Sequence, residues 1–391
     1  MPQRIHNSAL LFPTASEHRF SILHYIVREV VPYINWIYYF HAWGMEPRFA
    51  AIADIHDCPS CRASWIASFP TAEQPKAREA AKLYDEAKQL LRQWADEPIC
   101  HALFLLAEAY SEGDDIIVDN RIRIPFLRQQ HVGRSGYTLC LSDFIRGTHG
   151  KDEDRQQTTD NGQRTTENRQ PTTNREQSSS LELPRCEGGL TETTTGDSPL
   201  TIDRCPLSVV RCPLNPTQVN DIANTIGLFA TTVSQPPLNA HLSSPNLDYV
   251  DLKVQLSTLS DRLAEATAEK MHEEVRKHHW GYAKDEHLTM RELHEERFQG
   301  IRPAVGYPSL PDQSINFLID ELLPLSEIGI TLSENGAMSP HCSVSGLMFA
   351  HPKAHYFSVG SISEEQLLDY ARRRGITPDQ AKKFLASMIN G

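Results

Sequence analysis

A short loop sequence, Gly300-Ile-Arg-Pro-Ala-Val-Gly-Tyr-Pro, holds the densest group of residues that could bind a ligand. Its glycines and prolines favour a fixed, irregular backbone. Arg302 in such a loop could bind a carboxylate through two parallel hydrogen bonds, and Gly306 would let a ligand approach the backbone closely. The other interpretation is a stiff connector that carries a surface arginine, and the residues of the loop alone favour it.

Several sequences begin like catalytic or metal-binding motifs and then depart from them. His272-Glu-Glu-Val-Arg begins like the HExxH zinc motif, but Arg276 stands where the second histidine is needed. We therefore interpret it as a solvated helix face. Asp54-Ile-His-Asp-Cys-Pro begins like a cobalt-ligating DxHxxG loop, but proline replaces the glycine. Cys58 and Cys61 form a single CxxC pair without a second pair at zinc spacing, so we expect no metal site and no catalytic residue.

The spacing of apolar residues predicts the elements that would position the loop. Helical periodicity predicts helices over about 71–95, 252–280 and 315–327. Apolar runs predict strands at 103–106, after the turn at Gly113, at 343–349 and at 355–362. In the last of these strands, Tyr356 and Phe357 would point to opposite faces. Capping-box patterns at Ser363 and Thr377 predict a C-terminal pair of helices.

Composition restricts the classes of partner. The chain has 391 residues and a formal net charge of −12, which disfavours a nucleic-acid binder because phosphate binding needs a basic surface. No apolar run approaches the roughly 20 residues of a membrane span, and the N-terminus lacks the apolar core of a signal peptide. We therefore expect a cytoplasmic protein with no membrane role.

The middle of the chain differs sharply from both ends. Residues 146–180 include none of Ala, Val, Ile, Leu, Met, Phe, Trp, Tyr or Cys. Such a segment cannot bury enough apolar surface to offset its conformational entropy. We interpret 146–215 as a disordered low-complexity insertion, which separates an N-terminal part of one domain, 1–145, from its C-terminal part, 216–391.

Several sequence blocks on both sides of this segment follow a recognisable order. They are Tyr33-Ile-Asn-Trp, Gly113-Asp-Asp-Ile, Leu141-Ser-Asp-Phe, Asp261-Arg-Leu-Ala-Glu-Ala, Trp280-Gly-Tyr-Ala, Arg302-Pro-Ala-Val-Gly-Tyr-Pro, Ser343-Val-Ser-Gly and Tyr356-Phe-Ser-Val. In type and order they resemble the blocks of the activation (reactivation) domain of cobalamin-dependent methionine synthase, here as a stand-alone chain. The resemblance covers about 20–145 and 220–391. It implies an α+β fold with a twisted, mainly antiparallel sheet flanked by helices.

The resemblance also implies a groove for S-adenosylmethionine. The residues at matching positions are Asn35, Glu296, Arg302, Ala304, Gly306, Tyr307, Tyr356 and Phe357. Arg302 matches the arginine that holds the carboxylate of the ligand, and Tyr356 and Phe357 match an aromatic pair that lines the site. Asn35 stands where the family has an aspartate. Because Asn35 lacks the charge of aspartate, we expect weaker ligand binding.

The role of the family implies that this chain needs no catalytic side chain. In the family, a flavodoxin-type donor supplies an electron to an inactive cobalamin, and the cobalt then takes the methyl group of S-adenosylmethionine. The chain would act as a component of cobalamin-dependent methionine synthase, with a partner module carrying the cobalamin, and would not make methionine alone. The alternative is a non-catalytic docking or regulatory protein for a corrinoid protein, with a decayed ligand site.

Overall fold

In the computed structural model, which describes residues 20–132, 136–147, 222–235 and 249–389, six strands form one antiparallel sheet. They are β1 (Ser21–Tyr25), β2 (Cys100–Glu112), β3 (Asp115–Val118), β4 (Ile122–Pro125), β5 (Thr225–Val233) and β8 (Ser343–Met348). Two further strands, β6 (Thr331–Leu332) and β7 (Met338–Ser339), pair only with each other.

The long strand β2 organises the sheet. It pairs with β5 from Cys100 opposite Val233 to Glu108 opposite Thr225. Along its other edge, β1 pairs with the start of β2 and β3 pairs with its end. Together with β4 and β8 this gives the order β4-β3-β2-β5-β8. The pairing of β2 with β5 therefore joins the two sides of the segment 148–221 in one sheet.

Helices flank the sheet, which confirms the expected α+β fold. They are α1 (Val27–Val30), α2 (Trp36–Ala42), α3 (Pro59–Ala67), α4 (Gln74–Gln93), α5 (Tyr249–Glu274), α6 (Met290–His294), α7 (Ile315–Leu322), α8 (Glu364–Arg374) and α9 (Pro378–Phe384). Phe104 and Leu106 of β2 pack in a core with residues of α1 to α5, whereas Leu103 and Leu105 pack in a second core with residues of α7. Because both faces are buried there, β2 is apolar without interruption from Ala102 to Ala107.

The elements predicted from strong local sequence patterns are present in the structure. The predicted helix at 71–95 is α4, and its evenly spaced alanines are buried. In the C-terminal pair, the side chains of Ser363 and Thr377 both cap their helices, and Gly375 ends α8 in the left-handed conformation. Gln380 completes the predicted capping box of α9, whereas the Gln366 side chain bonds the carbonyl of Arg128 instead.

The long helix after the central segment differs from the prediction at its C-terminal end. α5 ends at Glu274 and continues as a π-helical turn, Val275–His279, in which Trp280 N donates to Val275 O at 2.8 Å. The interpretation of the HExxH-like sequence as a solvated face is wrong, because His272 and Arg276 are fully buried. Arg276 pairs with Glu286 at 2.6 Å, which satisfies its charge in the core.

The predicted strand at 355–362 is absent from the described residues, although its predecessor is present as β8. Residues 301–305 occupy the free edge of β8: Ile301 and Phe349 exchange backbone hydrogen bonds of 2.9 Å, and Val305 N donates to Ser345 O at 2.9 Å. Since that edge is taken, the segment around Tyr356 and Phe357 runs outside it as an irregular stretch.

The predicted insertion falls mostly in a part of the chain that the structure does not describe. Residues 148–221, which include most of the predicted insertion, lie outside the described ranges, so its disorder and the boundaries at 145 and 216 remain predictions.

Among the described helices, none is both long and apolar enough to cross a membrane.

Candidate functional site

A cavity of about 750 Å³ lies between α5, the loop at 302–309 and the segment at 356–358. Residues of β5, β8 and the start of α2 complete its wall. Seven of the eight residues implied by the resemblance line it: Asn35, Glu296, Arg302, Ala304, Tyr307, Tyr356 and Phe357. Its volume falls in the range of roughly 300–1,000 Å³ that is usual for small-ligand sites.

The loop is held in place by the edge of the sheet. Leu347 N donates to Pro303 O at 3.0 Å, so this part of the loop runs alongside β8. Gly346 makes that approach possible, because a Cβ at this position would lie 2.2 Å from Pro303 O and 2.8 Å from the Phe229 ring. The irregular loop predicted from the sequence is thus an added edge of the sheet, and this rigidity fixes the position of Arg302.

Arg302 is buried except for 13% of its side chain and already has a partner. Its Nη2 donates to Glu269 Oε2 of α5 at 2.8 Å, and its guanidinium lies 5.8 Å from the centre of the Phe229 ring. Its Nε is buried and has no acceptor within the described ranges of the chain. An arginine offers five N–H donors, so donors remain for a carboxylate entering the cavity.

Tyr356 connects the irregular segment to the loop. Arg302 N donates to the Tyr356 hydroxyl oxygen at 2.9 Å. Burial raises the pKa of Tyr356, so the hydroxyl stays protonated and keeps this acceptor neutral. Phe357 is tied to the same loop, since Phe357 N donates to Ser309 Oγ at 3.2 Å. Both rings therefore line the cavity, contrary to the strand prediction that placed them on opposite faces.

Gly306 is the one implied residue that does not line the cavity. Its φ is +89°, a conformation that favours glycine, and its amide donates to Leu310 O at 2.8 Å. A Cβ at Gly306 would meet no atom within 4 Å. The positive φ of this turn by itself favours glycine at position 306.

Asn35 occupies a helix cap at the edge of the cavity. It is the N-cap residue of α2, and its Oδ1 accepts a hydrogen bond from Ile37 N at 3.1 Å. This local bond fixes the side chain, because the first amides of a helix have no partner within the helix. Asparagine and aspartate cap helices about equally well, so the cap does not explain which of them stands here.

Charged groups on the cavity wall are mostly acidic. The charged residues are Glu265, Glu269, Glu296, Arg262 and Arg302, so one negative charge is in excess when all are ionised. Glu296 has a φ of +56°, which is uncommon for a residue with a side chain. Its partial burial, and then the nearby Glu269 carboxylate, raise the pKa of Glu296. The cavity is therefore suited to a ligand that carries both a carboxylate and an excess of positive charge.

The carboxylates contributed by α5 are not among the residues predicted from the sequence. Glu265 accepts a hydrogen bond from the Tyr307 hydroxyl at 3.1 Å, and Glu269 is the partner of Arg302. Both lie one helical turn apart on the same face of α5, four residues from each other. That spacing is visible in the sequence, but the part of the chain that this face meets is not.

The comparisons with known proteins point to one family. The family model described as "Vitamin B12 dependent methionine synthase, activation domain" matches residues 26–159 and 215–375. Among solved structures, the "Crystal Structure of the MetH Reactivation Domain bound to AdoHcy" is similar, with 26% sequence identity and a TM-score of 0.63. That similarity covers 96% of this chain and 92% of the other chain.

Proposed function

The chain belongs to the family of vitamin B12 dependent methionine synthase activation domains, and on this premise we propose that its cavity binds S-adenosylmethionine for reductive reactivation of a cobalamin-dependent methionine synthase. The observation that carries the proposal is the convergence of seven implied binding residues on one cavity. A similar solved domain was determined with AdoHcy bound.

Arg302 is the group we assign to the carboxylate of the ligand. Its guanidinium is positioned by Glu269 and by the loop along β8, so little conformational freedom would be lost on binding. The side chain keeps 13% of its surface exposed, and Nη hydrogens that Glu269 does not use can donate to a carboxylate oxygen. Asn35 at the cap of α2 is the group we assign to the ammonium, through its amide oxygen.

The net charge of the wall fits S-adenosylmethionine. The ligand has a sulfonium, an ammonium and a carboxylate, so it carries one net positive charge at neutral pH. The wall has one excess negative charge; Glu269 pairs with Arg302, and Glu296 interacts electrostatically with both of them. AdoHcy, a thioether, lacks the sulfonium charge, so these carboxylates would favour S-adenosylmethionine over it.

The aromatic side chains offer surfaces for the flat, apolar parts of the ligand. Tyr356 and Phe357 both line the wall, and Tyr307 is 51% exposed. Rings of this kind bind purines by stacking. We assign the adenine to this side of the cavity.

The chain would position the methyl donor, and the partner would supply the reacting atom. A cobalamin bound to the partner module and reduced by a flavodoxin-type donor would supply the nucleophile for methyl transfer. The residues of this chain bind the ligand ends and hold the methyl group in place, which requires no acid or base. On this proposal the chain is a component of the methyltransferase and is not active by itself.

The alternative is a docking or regulatory protein that no longer binds the ligand. Two observations favour it: Asn35 lacks the charge of aspartate, and Arg302 is already paired with a protein carboxylate. The two functions differ in whether the purified chain binds S-adenosylmethionine.

Calorimetric titration of the full chain with S-adenosylmethionine tests the proposal, with Arg302→Ala as the variant and Arg372→Ala as the control. Arg372 is an arginine of α8 that is 75% exposed and lies outside the cavity. We expect saturable binding that Arg302→Ala weakens by about 10- to 100-fold, since a hydrogen bond to a charged group contributes roughly 1.5–3 kcal/mol. Circular dichroism would verify that both variants are folded.

Absence of saturable binding at millimolar ligand would overturn the proposal in favour of the docking protein. Equal binding by wild type and a folded Arg302→Ala variant would place the ligand elsewhere in the chain.

A further inference from the structure

A second cluster of reactive side chains lies outside the cavity wall, in the turn that leads from the 3-10 helical segment Pro47–Asp54 into α3. It consists of His56, Cys58 and Cys61, whose ring nitrogen and sulfur atoms all lie within 4.8 Å of one another. Among the described residues, this is the one group of three or more His, Cys, Asp and Glu side chains close enough to share a metal ion.

Local backbone bonds arrange the three side chains. Cys58 is the N-cap residue of α3, and its sulfur accepts a hydrogen bond from Cys61 N at 3.3 Å, which keeps the two cysteines together. Cys58 N donates to His56 O at 2.8 Å, which folds the histidine back towards the helix. Hydrogen bonds within the protein are therefore enough to bring the three side chains together.

Asp57 anchors this turn to the neighbouring helices. Its Oδ1 accepts a hydrogen bond from Arg62 Nη2 of α3 at 2.8 Å, and its Oδ2 accepts one from Lys88 Nζ of α4 at 2.5 Å. Because both oxygens are engaged, Asp57 is not available as a further metal ligand. It holds the residues on either side of it, His56 and Cys58, in a fixed position.

We propose that His56, Cys58 and Cys61 bind one Zn²⁺ ion, with solvent in the fourth tetrahedral position. Thiolate and imidazole are preferred zinc ligands, and sites with three protein ligands commonly keep one position open. His56 is exposed and both cysteines are partly exposed, so the ion can reach the site from solvent. Once bound, the ion would cross-link the turn to the first turn of α3.

The test is a Zn²⁺ titration of the full chain, reduced and freed of metal, in competition with a chromophoric chelator. We expect one ion per chain, with affinity reduced about 100-fold or more in Cys58→Ser and in Cys61→Ser, since losing even an outer partner of a metal ligand costs about 10- to 100-fold. Cys342→Ser, which changes a partly buried cysteine of another region, should bind like the wild type. Cys186, Cys205 and Cys212 are present in every variant, so they cannot account for a difference.

A second readout identifies the ligands directly. Co²⁺ in place of Zn²⁺ should give a thiolate-to-cobalt charge-transfer band that is reduced in each cysteine variant. His56→Ala should change the ligand-field bands while retaining the charge-transfer band. Both readouts are independent of S-adenosylmethionine, so failure of the zinc site and failure of the proposed function are distinguishable.

Three outcomes would overturn the proposal. One is equal zinc affinity in the wild type and both cysteine variants. Another is no zinc binding by the reduced wild type at an affinity that the chelator can detect. The third is a Cys58–Cys61 disulfide that forms and reverses while the reduced pair binds no zinc, which would make the pair a redox dithiol instead.

Discussion

At the scale of single residues, the site consists of side chains that the surrounding structure has already positioned. Arg302 is oriented by Glu269, Tyr356 by the Arg302 amide, and Asn35 by the amide of Ile37. Preorganised groups lose little freedom when a ligand binds. Affinity should therefore depend on the charge of these groups more than on their mobility.

Replacing Asn35 with aspartate tests this dependence on charge. Aspartate would keep the cap of α2 and restore a negative charge at the cavity wall. A charge-assisted hydrogen bond contributes about 1.5–3 kcal/mol against about 1 kcal/mol for a neutral one, so we expect Asn35→Asp to tighten S-adenosylmethionine binding about tenfold. Calorimetry measures this directly, and an unchanged dissociation constant would refute the role of Asn35.

The sequence was sufficient to find the loop but not its partners. Arg302 stands out because rigid residues surround it, and the family resemblance indicates its role. Glu269 lies 33 residues earlier in the chain, and its pairing with Arg302 depends on how α5 packs on the sheet. The sequence shows His56 two residues before Cys58. Only the turn at the start of α3, however, brings the side chains of His56, Cys58 and Cys61 together.

At the scale of elements, local sequence patterns predict the helices and their caps correctly. They do not predict which segment pairs with the edge of β8. The caps of α8 and α9 and the alanine face of α4 depend on residues three or four positions apart, which the sequence displays. The strand predicted at 355–362 fails because residues 301–305 compete for the same edge of β8, some 45 residues away along the chain. No local pattern decides that competition.

The close approach of the loop to β8 can be tested at Gly346. In Gly346→Ala the new Cβ would lie 2.2 Å from Pro303 O, so the loop that carries Arg302 must shift. We expect a loss of about 1–3 kcal/mol in unfolding free energy, measured by urea denaturation, and weaker S-adenosylmethionine binding. Gly147→Ala is the control, since among the described residues its Cβ would meet Ser111 alone, at 3.8 Å. Equal stability and affinity in the two variants would mean that the loop does not need this contact.

The burial of His272 in α5 predicts a pH dependence of stability. Burial, and then Arg276 and Arg302, lower the pKa of His272 well below its usual value of about 6.5. As the pH falls below about 6.5, the unfolded chain takes up a proton that the folded chain does not, so stability is lost towards acid. His101, whose pKa is lowered to about 4 mainly by burial, contributes with the same sign.

Replacing His272 with leucine removes one of these contributions. Urea unfolding at several pH values should give a slope that is smaller in His272→Leu by up to about 1.4 kcal/mol per pH unit below pH 6.5. The slope contributed by His101 should remain. The same slope in variant and wild type would show that His272 is protonated in the folded protein.

At the scale of the whole molecule, the two sides of the segment 148–221 form one unit. β5 follows the segment and pairs with β2, which precedes it, over the length of β5. Both sides also contribute to the cavity, with Asn35 from one and Arg302 from the other. The continuity of the chain between them is therefore not what holds the site together.

This arrangement predicts the result of limited proteolysis. If residues 146–215 are disordered, as their composition predicts, a protease should cleave there first. The two fragments should stay associated through the sheet, co-elute in gel filtration and still bind S-adenosylmethionine. Initial cleavage within β2 or α5, or separation of the fragments without denaturant, would contradict this account.

A methyl-transfer assay tests the proposed reactivation function most directly. The chain is incubated with methyl-labelled S-adenosylmethionine, an oxidised cobalamin-binding module of a methionine synthase and a reducing system. We expect label on the cobalamin only when this chain and the reductant are both present, and slower transfer with a folded Arg302→Ala variant. Equal labelling of the cobalamin with and without this chain would show that the chain does not deliver the methyl group.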